Sequence, residues 1–545
     1  MMKSIHTLIL TACFLAAVPA AEACTSFLVG KNASVDGSTM ITYCADSHTL
    51  YGDIAHTPAA DHAPGTMREV RDWDSNRYLT HIPQPAHTYA VNGNMNENGV
   101  AVTESTWGGF KELEGTGLID YGSLIQIALE RSRTAREAID VIASLLNDYG
   151  YASEGESFSI ADPNEVWIMD IVGKGKKDKG AVWVARRLPD DCIAGHANQP
   201  RIHKFPLNEP ETTIYSPDVI DFAIENGYYK GPREDFDFAW AYGDLDGSAC
   251  RSCDSRVWSF MRHYVDDKEA WDKWLPWVMK AEGEAFPLWI KPNRKLSARD
   301  LMSDVRDHFE DTPLNMTSDP GAGPFNVPYR FRPMYFTVDG KKYLNERATA
   351  TQQTGFSLIA QLNANAPEAR RGIQWFGVDD TNTCVYVPIY SSATRVPWEF
   401  ARGNGDLLNL SWDAAFWVNN YVANQAYNRY SLMIPDIRKV QEAQENMIAE
   451  EAAAMDKLIA GMPREEAAKV LMDFTDRASK RYVKAYKDLG DYLFVKYLDG
   501  NRKKEKDGKF ELTEEGVPAT PDFPGYGQEF YDIIVEKTGD HLLVP

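Results

Sequence analysis

Cys24 follows directly on the tripeptide Ala21-Glu22-Ala23, and that position gives its thiol a chemistry of its own. Residues 1–23 open with Lys3, run through a largely apolar stretch from Ile5 to Val18, and close on Pro19 and that tripeptide. This is the plan of a secretory signal peptide with its cleavage site. Cleavage after Ala23 makes Cys24 the first residue of the mature chain. The thiol then shares a residue with a free α-amine, whose ordinary pKa is about 7.7–8.0. Near neutral pH that amine can take the thiol proton and leave a thiolate, the reactive form of cysteine. Two plainer assignments compete: an ordinary buried or disulfide-bonded cysteine, and a lipidated cysteine with an acylated amine. Glu22, so near the modified residue, fits lipidation poorly, and acylation would remove the basic amine.

The elements that must position Cys24 can be read around it. Residues 24–30 alternate, Val35-Asp36-Gly37-Ser38 is a turn, and Ser38 to Cys44 reads as a second strand. A second hairpin turns at Asn94–Gly99 and returns through Val100–Thr106. Tyr121 to Arg131 reads as a helix. Thr134-Ala-Arg-Glu137 is a capping box opening another, with a stripe of Ala138, Ile139, Ile142, Leu145 and Leu146. Strands then recur at 157–160, 166–172, 181–185 and from 193, as in an antiparallel meander. Ser216-Pro217 predicts a helix start. The Trp-rich stretch 260–295 reads as helical, 300–345 as turn-rich, and 374–378 and 384–390 as late strands. Residues 436–498, rich in Ala, Glu, Lys, Met and Leu and broken at Gly461-Met-Pro463, predict a helical hairpin. The tail beyond Gly500 is polar and Pro-rich. Strands, a helical pair and further strands make an α+β fold.

Composition narrows the function. The chain has 545 residues, 44% hydrophobic, with 14 Trp, 26 Tyr and 23 Phe, ample for a large core of two or three units. After residue 23 no apolar run approaches the roughly 20 residues of a membrane helix, which predicts no membrane association once the signal is removed. A net charge of −22 offers no basic footprint for nucleic acid. Six of the seven cysteines remain after Cys13 leaves with the signal, so the fold rests on its core and not on disulfides. Cys250-Arg-Ser-Cys253 lacks the second ligand pair of a zinc site and reads as a local disulfide or two unrelated thiols. Asp244-Leu-Asp246-Gly247 lacks the later ligands of a calcium loop and reads as a turn.

The segment Cys-Thr-Ser-Phe-Leu-Val-Gly-Lys-Asn-Ala-Ser-Val-Asp-Gly-Ser-Thr (24–39) resembles the N-terminus of the dipeptidase A family of cysteine peptidases. So do Asn94–Gly99, Glu104–Gly109, Asp120-Tyr-Gly-Ser-Leu, Gly155–Asp170, Gly180–Arg187, His196–Ile202 and Asp254–Phe260, in a likeness that runs from 24 to about 400. That family belongs to the N-terminal-nucleophile hydrolases, with penicillin V acylase, choloylglycine hydrolase and acid ceramidase as distant relatives. The resemblance implies an αββα sandwich whose nucleophile opens a central strand. It makes Cys24 the nucleophile. Asp46 becomes the acid that holds its α-amine, Asn198 the oxyanion donor, and Arg256 a cation near the thiol that favours thiolate and pairs with the site acids. One departure stands out. Relatives commonly carry Arg three residues before the aspartate, where this chain has Tyr43. Arg256 is then the best candidate for the missing charge. His196, nearest a motif, reads as structural.

The expectation is therefore a secreted or periplasmic dipeptidase. Signal peptide 1–23 precedes an αββα hydrolase domain (24–430) and a C-terminal helical extension and tail (431–545). It hydrolyses short peptides through an acyl-enzyme on Cys24, with no metal or organic cofactor. Homo-oligomerisation stays open. An amidase of N-acyl amino acids by the same chemistry is the second reading, and a lipid-anchored envelope binding protein the alternative of another class.

Overall fold

A computed structural model describes residues 24–317 and 319–545. Residues 1–23, read above as a signal peptide, lie outside the described residues. The chain mixes α and β structure around two antiparallel sheets. The strands that build them are β1 (Ser26–Val29), β2 (Thr39–Asp46), β3 (His56–Thr57), β4 (Val91–Asn92), β5 (Met95–Asn96) and β6 (Ala101–Trp107). They continue, after helices α1 (Tyr121–Arg131) and α2 (Ala135–Tyr149), with β7 (Gly155–Ala161), β8 (Val166–Gly173), β9 (Ala181–Arg187), β10 (Ile193–His196) and β11 (Thr213–Tyr215). Helix α3 (Asp254–Arg262) precedes β12 (Trp289–Ile290), β13 (Thr354–Leu362), β14 (Gly372–Val378) and β15 (Val387–Tyr390). Three helices follow: α4 (Ala415–Ala426), α5 (Tyr430–Leu458) and α6 (Arg464–Lys496). One sheet runs β12-β10-β1-β2-β13-β14-β15, the other β11-β9-β8-β7-β6-β5-β4-β3.

The sheets lie face to face. Thr103 Oγ1 donates to Thr42 O at 3.1 Å and meets Ser26 Oγ at 3.3 Å across the gap. Helices cover both outer faces. The stripe on α2 joins Val102, Phe158, Ile160 and Trp167 in one buried cluster outside the second sheet. Helices α4 to α6 cover the first. Covered on both sides, β8 (Val-Trp-Ile-Met-Asp-Ile-Val-Gly) is buried at every residue, which explains why it reads as an almost continuous apolar run instead of alternating.

The helical hairpin read at 436–498 is α5 and α6. Ile437, Ile448, Leu471 and Tyr486 join the same core as Phe27 and Ile41. Arg306 Nη2 meets Glu445 Oε1 at 2.6 Å, and Gln441 Nε2 donates to Cys384 O at 2.6 Å, fastening α5 to the sheet.

Some local details differ from expectation. Thr134 Oγ1 does accept from Glu137 N, but the Glu137 carboxylate returns to Arg133 N, one residue before the cap, so the reciprocal arm is displaced. The helix expected to open at Ser216-Pro217 begins later, spanning Val219–Glu225 with Asp218 at the N-cap position but no side-chain cap. The stretch 260–295 is not one helix. It breaks into short turns at Lys268–Trp271 and Leu275–Lys280, because Trp271 and Trp277 turn inward to donate to Trp258 O and Asp254 Oδ2. Cys250 and Cys253 are free thiols, and Asp246 caps the helix Gly247–Ser252.

His196 is structural and buried between the sheets, with Nδ1 2.6 Å from Ser105 Oγ and Nε2 2.7 Å from Ser159 Oγ. Burial, and then the charge of Arg201, lowers its pKa to about 3. Between that value and the unfolded value near 6.5 the unfolded chain binds a proton that the folded chain refuses. Stability therefore falls as pH drops below about 6.5. Urea unfolding at pH 6.5 and pH 5.0 is expected to show the wild type losing about 2 kcal/mol more than His196→Gln. Equal losses would refute it.

Candidate active site

Cys24 sits two residues before β1. Thr25 N donates to Cys44 O at 3.1 Å and Cys44 N to Thr25 O at 2.9 Å. The β1–β2 register continues through this Thr25–Cys44 bridge. One step further sets Cys24 level with Ala45, so its nitrogen end is directed toward Asp46. That is where an acid must lie to hold an α-amine.

Asp46 ends β2 and is fully buried. Arg347 Nη2 donates to its Oδ2 at 2.5 Å and Thr354 Oγ1 to its Oδ1 at 2.5 Å. Burial pushes the Asp46 carboxyl above its ordinary value, and Arg347 pulls it back. The cation absent at Tyr43 is thus supplied by Arg347, about 300 residues away in the chain and invisible to local spacing.

Arg256, on α3, does something other than expected. It takes part in none of the ion pairs among the described residues. Its Nη1 donates to Cys24 O and Thr25 Oγ1, both at 2.7 Å, its Nη2 to Asn198 Oδ1 at 2.9 Å, and its Nε to Ser252 O at 3.1 Å. The planar fork clamps the backbone at the nucleophile and a neighbouring amide. It does not pair with site acids. Burial, and then Arg347, lowers its pKa to about 10, so it stays charged at neutral pH.

Asn198 lies in the turn after β10 with φ 56°, a left-handed conformation that asparagine tolerates. Its place follows from an open sheet edge. β5 pairs with β6 only through Met95–Ala101, so further along, the carbonyls pointing off that edge of β6 need other donors. Asn94 Nδ2 meets Val102 O at 2.9 Å, Ser26 Oγ meets Glu104 O at 3.3 Å, and Asn198 Nδ2 meets Thr106 O at 2.5 Å. Asn198 is therefore oriented at both ends of its amide, by Thr106 and by Arg256. Cys24, Asp46, Asn198 and Arg256 come together as one cluster.

Of the two groups that face the thiol, sequence reading noted Tyr43 only as a departure and gave no role to Glu104. Cys24 Sγ lies 3.3 Å from Glu104 Oε1 and 3.9 Å from Tyr43 Oη, and Tyr43 Oη also donates to Glu104 Oε1. Register pairs Glu104 with Phe158 and Thr106 with Glu156, which sets Glu104 and Glu156 diagonally on one face. Both lay inside motifs quoted above, but only the β6–β7 register makes them neighbours. Burial pushes both carboxyls up, and Glu156 further because Glu104 is already there. Of the two, Glu156 therefore holds a proton more tightly than Glu104.

Burial, then Glu104 and Asp46, raises the Cys24 thiol well above its ordinary value. The neutral thiol is therefore the resting form, and any attack by sulfur needs a proton acceptor in place. Cys24, Tyr43, Asp46, Glu104 and Phe356 line a cavity of about 230 Å³. An adjoining chamber of about 750 Å³ is lined by Asn198, Arg256, Arg332, Lys342 and Arg347, and Asp74 and Tyr121 border both.

The model of peptidase family C69 matches residues 23–443. The chain belongs to peptidase family C69. Among its relatives, a "Probable dipeptidase" of Latilactobacillus sakei is 27% identical over 458 residues, covering 80% of this chain and 88% of that protein. A "Dipeptidase" of Bifidobacterium longum is 26% identical, covering 80% of this chain and 83% of its own length. "Dipeptidase A" of Lactobacillus helveticus is 22% identical, covering 75% and 82%. The family match takes in Cys24 and every residue of the cluster, including Arg347.

Proposed function

We propose that this C69 peptidase is a secreted or periplasmic dipeptidase whose nucleophile is the N-terminal thiol of Cys24. The observation that carries the reading is the placing of Cys24: the strand register directs its nitrogen end toward the buried Asp46–Arg347 pair, while the residue lines a cavity. The layer order of helix, sheet, sheet and helix supports assignment to the N-terminal-nucleophile αββα sandwiches. In this reading residues 24–430 form the catalytic unit, and 431–545 an extension that plates its sheet. No helix among the described residues is long and apolar enough to cross a membrane.

The chemistry follows from the contacts. Signal cleavage after Ala23 frees the α-amine, which Asp46 orients. The amine takes the proton of the otherwise un-ionised thiol, and Sγ attacks the peptide carbonyl carbon. The amide of Asn198 has two hydrogens. Thr106 O and Arg256 fix its orientation, and in this reading the amide donates to the developing oxyanion. One such donor contributes about 2.7–4 kcal/mol. Arg256 keeps the Cys24 carbonyl and Asn198 in register. The C–N bond breaks as the ammonium protonates the leaving amine, and water then hydrolyses the thioester. None of these steps calls on a metal or cofactor.

Short peptides fit the charges. The thiol's cavity carries carboxylates, while the adjoining chamber presents Arg332 and Lys342, neither in an ion pair among the described residues. A zwitterionic dipeptide places its ammonium on one side of the sulfur and its carboxylate on the other. Intact mass of the secreted protein is expected to show an unmodified N-terminal Cys24, and a substrate panel is expected to show dipeptides hydrolysed. A diacylglyceryl-cysteine, or a mature chain beginning elsewhere, would refute the mechanism.

A further inference from the structure

The mechanism above leaves Glu104 without a task, although its carboxylate stands 3.3 Å from the sulfur of the nucleophile. It is 1% exposed. Its Oε1 faces Cys24 Sγ and Tyr43, its Oε2 is buried with no donor, and the carboxyl of Glu156 is its coupled neighbour. None of the ion pairs among the described residues includes Glu104 or Glu156. A buried carboxyl pair holding one proton keeps one negative charge, and here no protein cation answers it. Such a charge is costly to bury alone. A ligand cation arriving in the cavity would complement it.

We infer that Glu104 receives the free α-ammonium of the peptide substrate and so confines hydrolysis to the bond next to a free N-terminus. This rests on the peptidase reading of Cys24. The distances set the reach. At attack the carbonyl carbon lies about 3–3.5 Å from the sulfur. The α-nitrogen of the same residue is two bonds from that carbon, roughly 2.5 Å away. A carboxylate oxygen 3.3 Å from Sγ therefore comes within the roughly 2.7–2.9 Å of a charge-assisted hydrogen bond to that nitrogen, and to no amine farther along a chain. An N-acylated residue presents there an uncharged N–H and an extra acyl group, which neither answers the charge nor fits beside Tyr43. The inference thereby separates the dipeptidase from the amidase reading. Glu156 is a positioning residue: it holds a proton more tightly and leaves the charge on Glu104.

The test compares Ala-Ala with N-acetyl-Ala-Ala on the mature wild type, Glu104→Gln and Glu156→Gln, with alkylation of Cys24 by iodoacetamide as a check on the thiol. The wild type is expected to prefer the free dipeptide by at least about a hundredfold in kcat/KM. In Glu104→Gln the preference is expected to fall by about ten- to a hundredfold, chiefly through KM for the free dipeptide, while Cys24 still alkylates. Glu156→Gln, which offers an N–H where its proton now lies, is expected to keep the preference. An unchanged preference in Glu104→Gln would overturn the inference. So would an equal loss of kcat on both substrates, which would make Glu104 a base for the thiol. In either case the peptidase reading stands. A wild type that cleaves neither peptide overturns the peptidase reading and this inference with it.

Discussion

Replacing Cys24 with alanine is expected to lower dipeptide hydrolysis by about four to six orders of magnitude, the size of loss seen when a covalent nucleophile is removed. The fold should survive. Cys24 is a small buried residue just ahead of β1, and the contacts that fix its backbone are made by main-chain atoms: Thr25 with Cys44, and the Cys24 carbonyl with Arg256. Circular dichroism and the unfolding midpoint should therefore match the wild type while turnover disappears. Cys24→Ser is the sharper companion. It keeps an N-terminal amine and a hydroxyl, so it tests whether sulfur itself is needed. Retention of more than about a tenth of wild-type kcat/KM in the alanine variant would remove the thiol from the mechanism.

The second large effect is expected at Asp46. Asp46→Ala takes the carboxylate away from Arg347 Nη2 and Thr354 Oγ1 in a site where the side chains of both Asp46 and Arg347 are at most 4% exposed. Removing one partner of a buried ion pair typically costs about 3–5 kcal/mol. Asp46→Asn separates charge from packing. It retains an oxygen and the side-chain shape, so the stability loss should shrink. Catalysis should still fall by about a hundredfold or more, because the neutral amide no longer steadies the protonated α-amine. Denaturant titration of both variants, beside kcat/KM on one dipeptide, reads the two effects apart. Wild-type turnover in Asp46→Asn would show that the acid serves the fold alone.

Both predictions use residues legible in the chain, and the contrast with the rest of the site is instructive. Cys24 was readable because a local fact marks it, the signal-type leader before it, whereas Asp46 was readable only through motif resemblance. Asn198 and Arg256 were readable through motif resemblance, yet the resemblance gave Arg256 the wrong partners. It clamps Cys24 O and Asn198, and the ion pair with Asp46 belongs to Arg347. No spacing rule links residues 46 and 347. They meet because β2 pairs with β13, which begins a few residues after Arg347.

By itself the sequence determined the α+β class, the strand-and-helix order around Cys24 and the helical hairpin, because these follow from periodicity and turn chemistry over a few residues. It also pointed to Cys24 as the candidate nucleophile, through the leader-like segment that precedes it. Only the tertiary structure decided which charges face that thiol. Glu104 and Glu156 become a pair through the register of β6 and β7, Tyr43 reaches Glu104 from the facing sheet, and Arg347 arrives from a distant loop. The physical reason is range. Hydrophobic pattern is a local property of the chain, whereas the electrostatics of a buried site depend on distances of a few ångströms between residues tens to hundreds of positions apart, and those distances exist only once the sheets have paired and stacked.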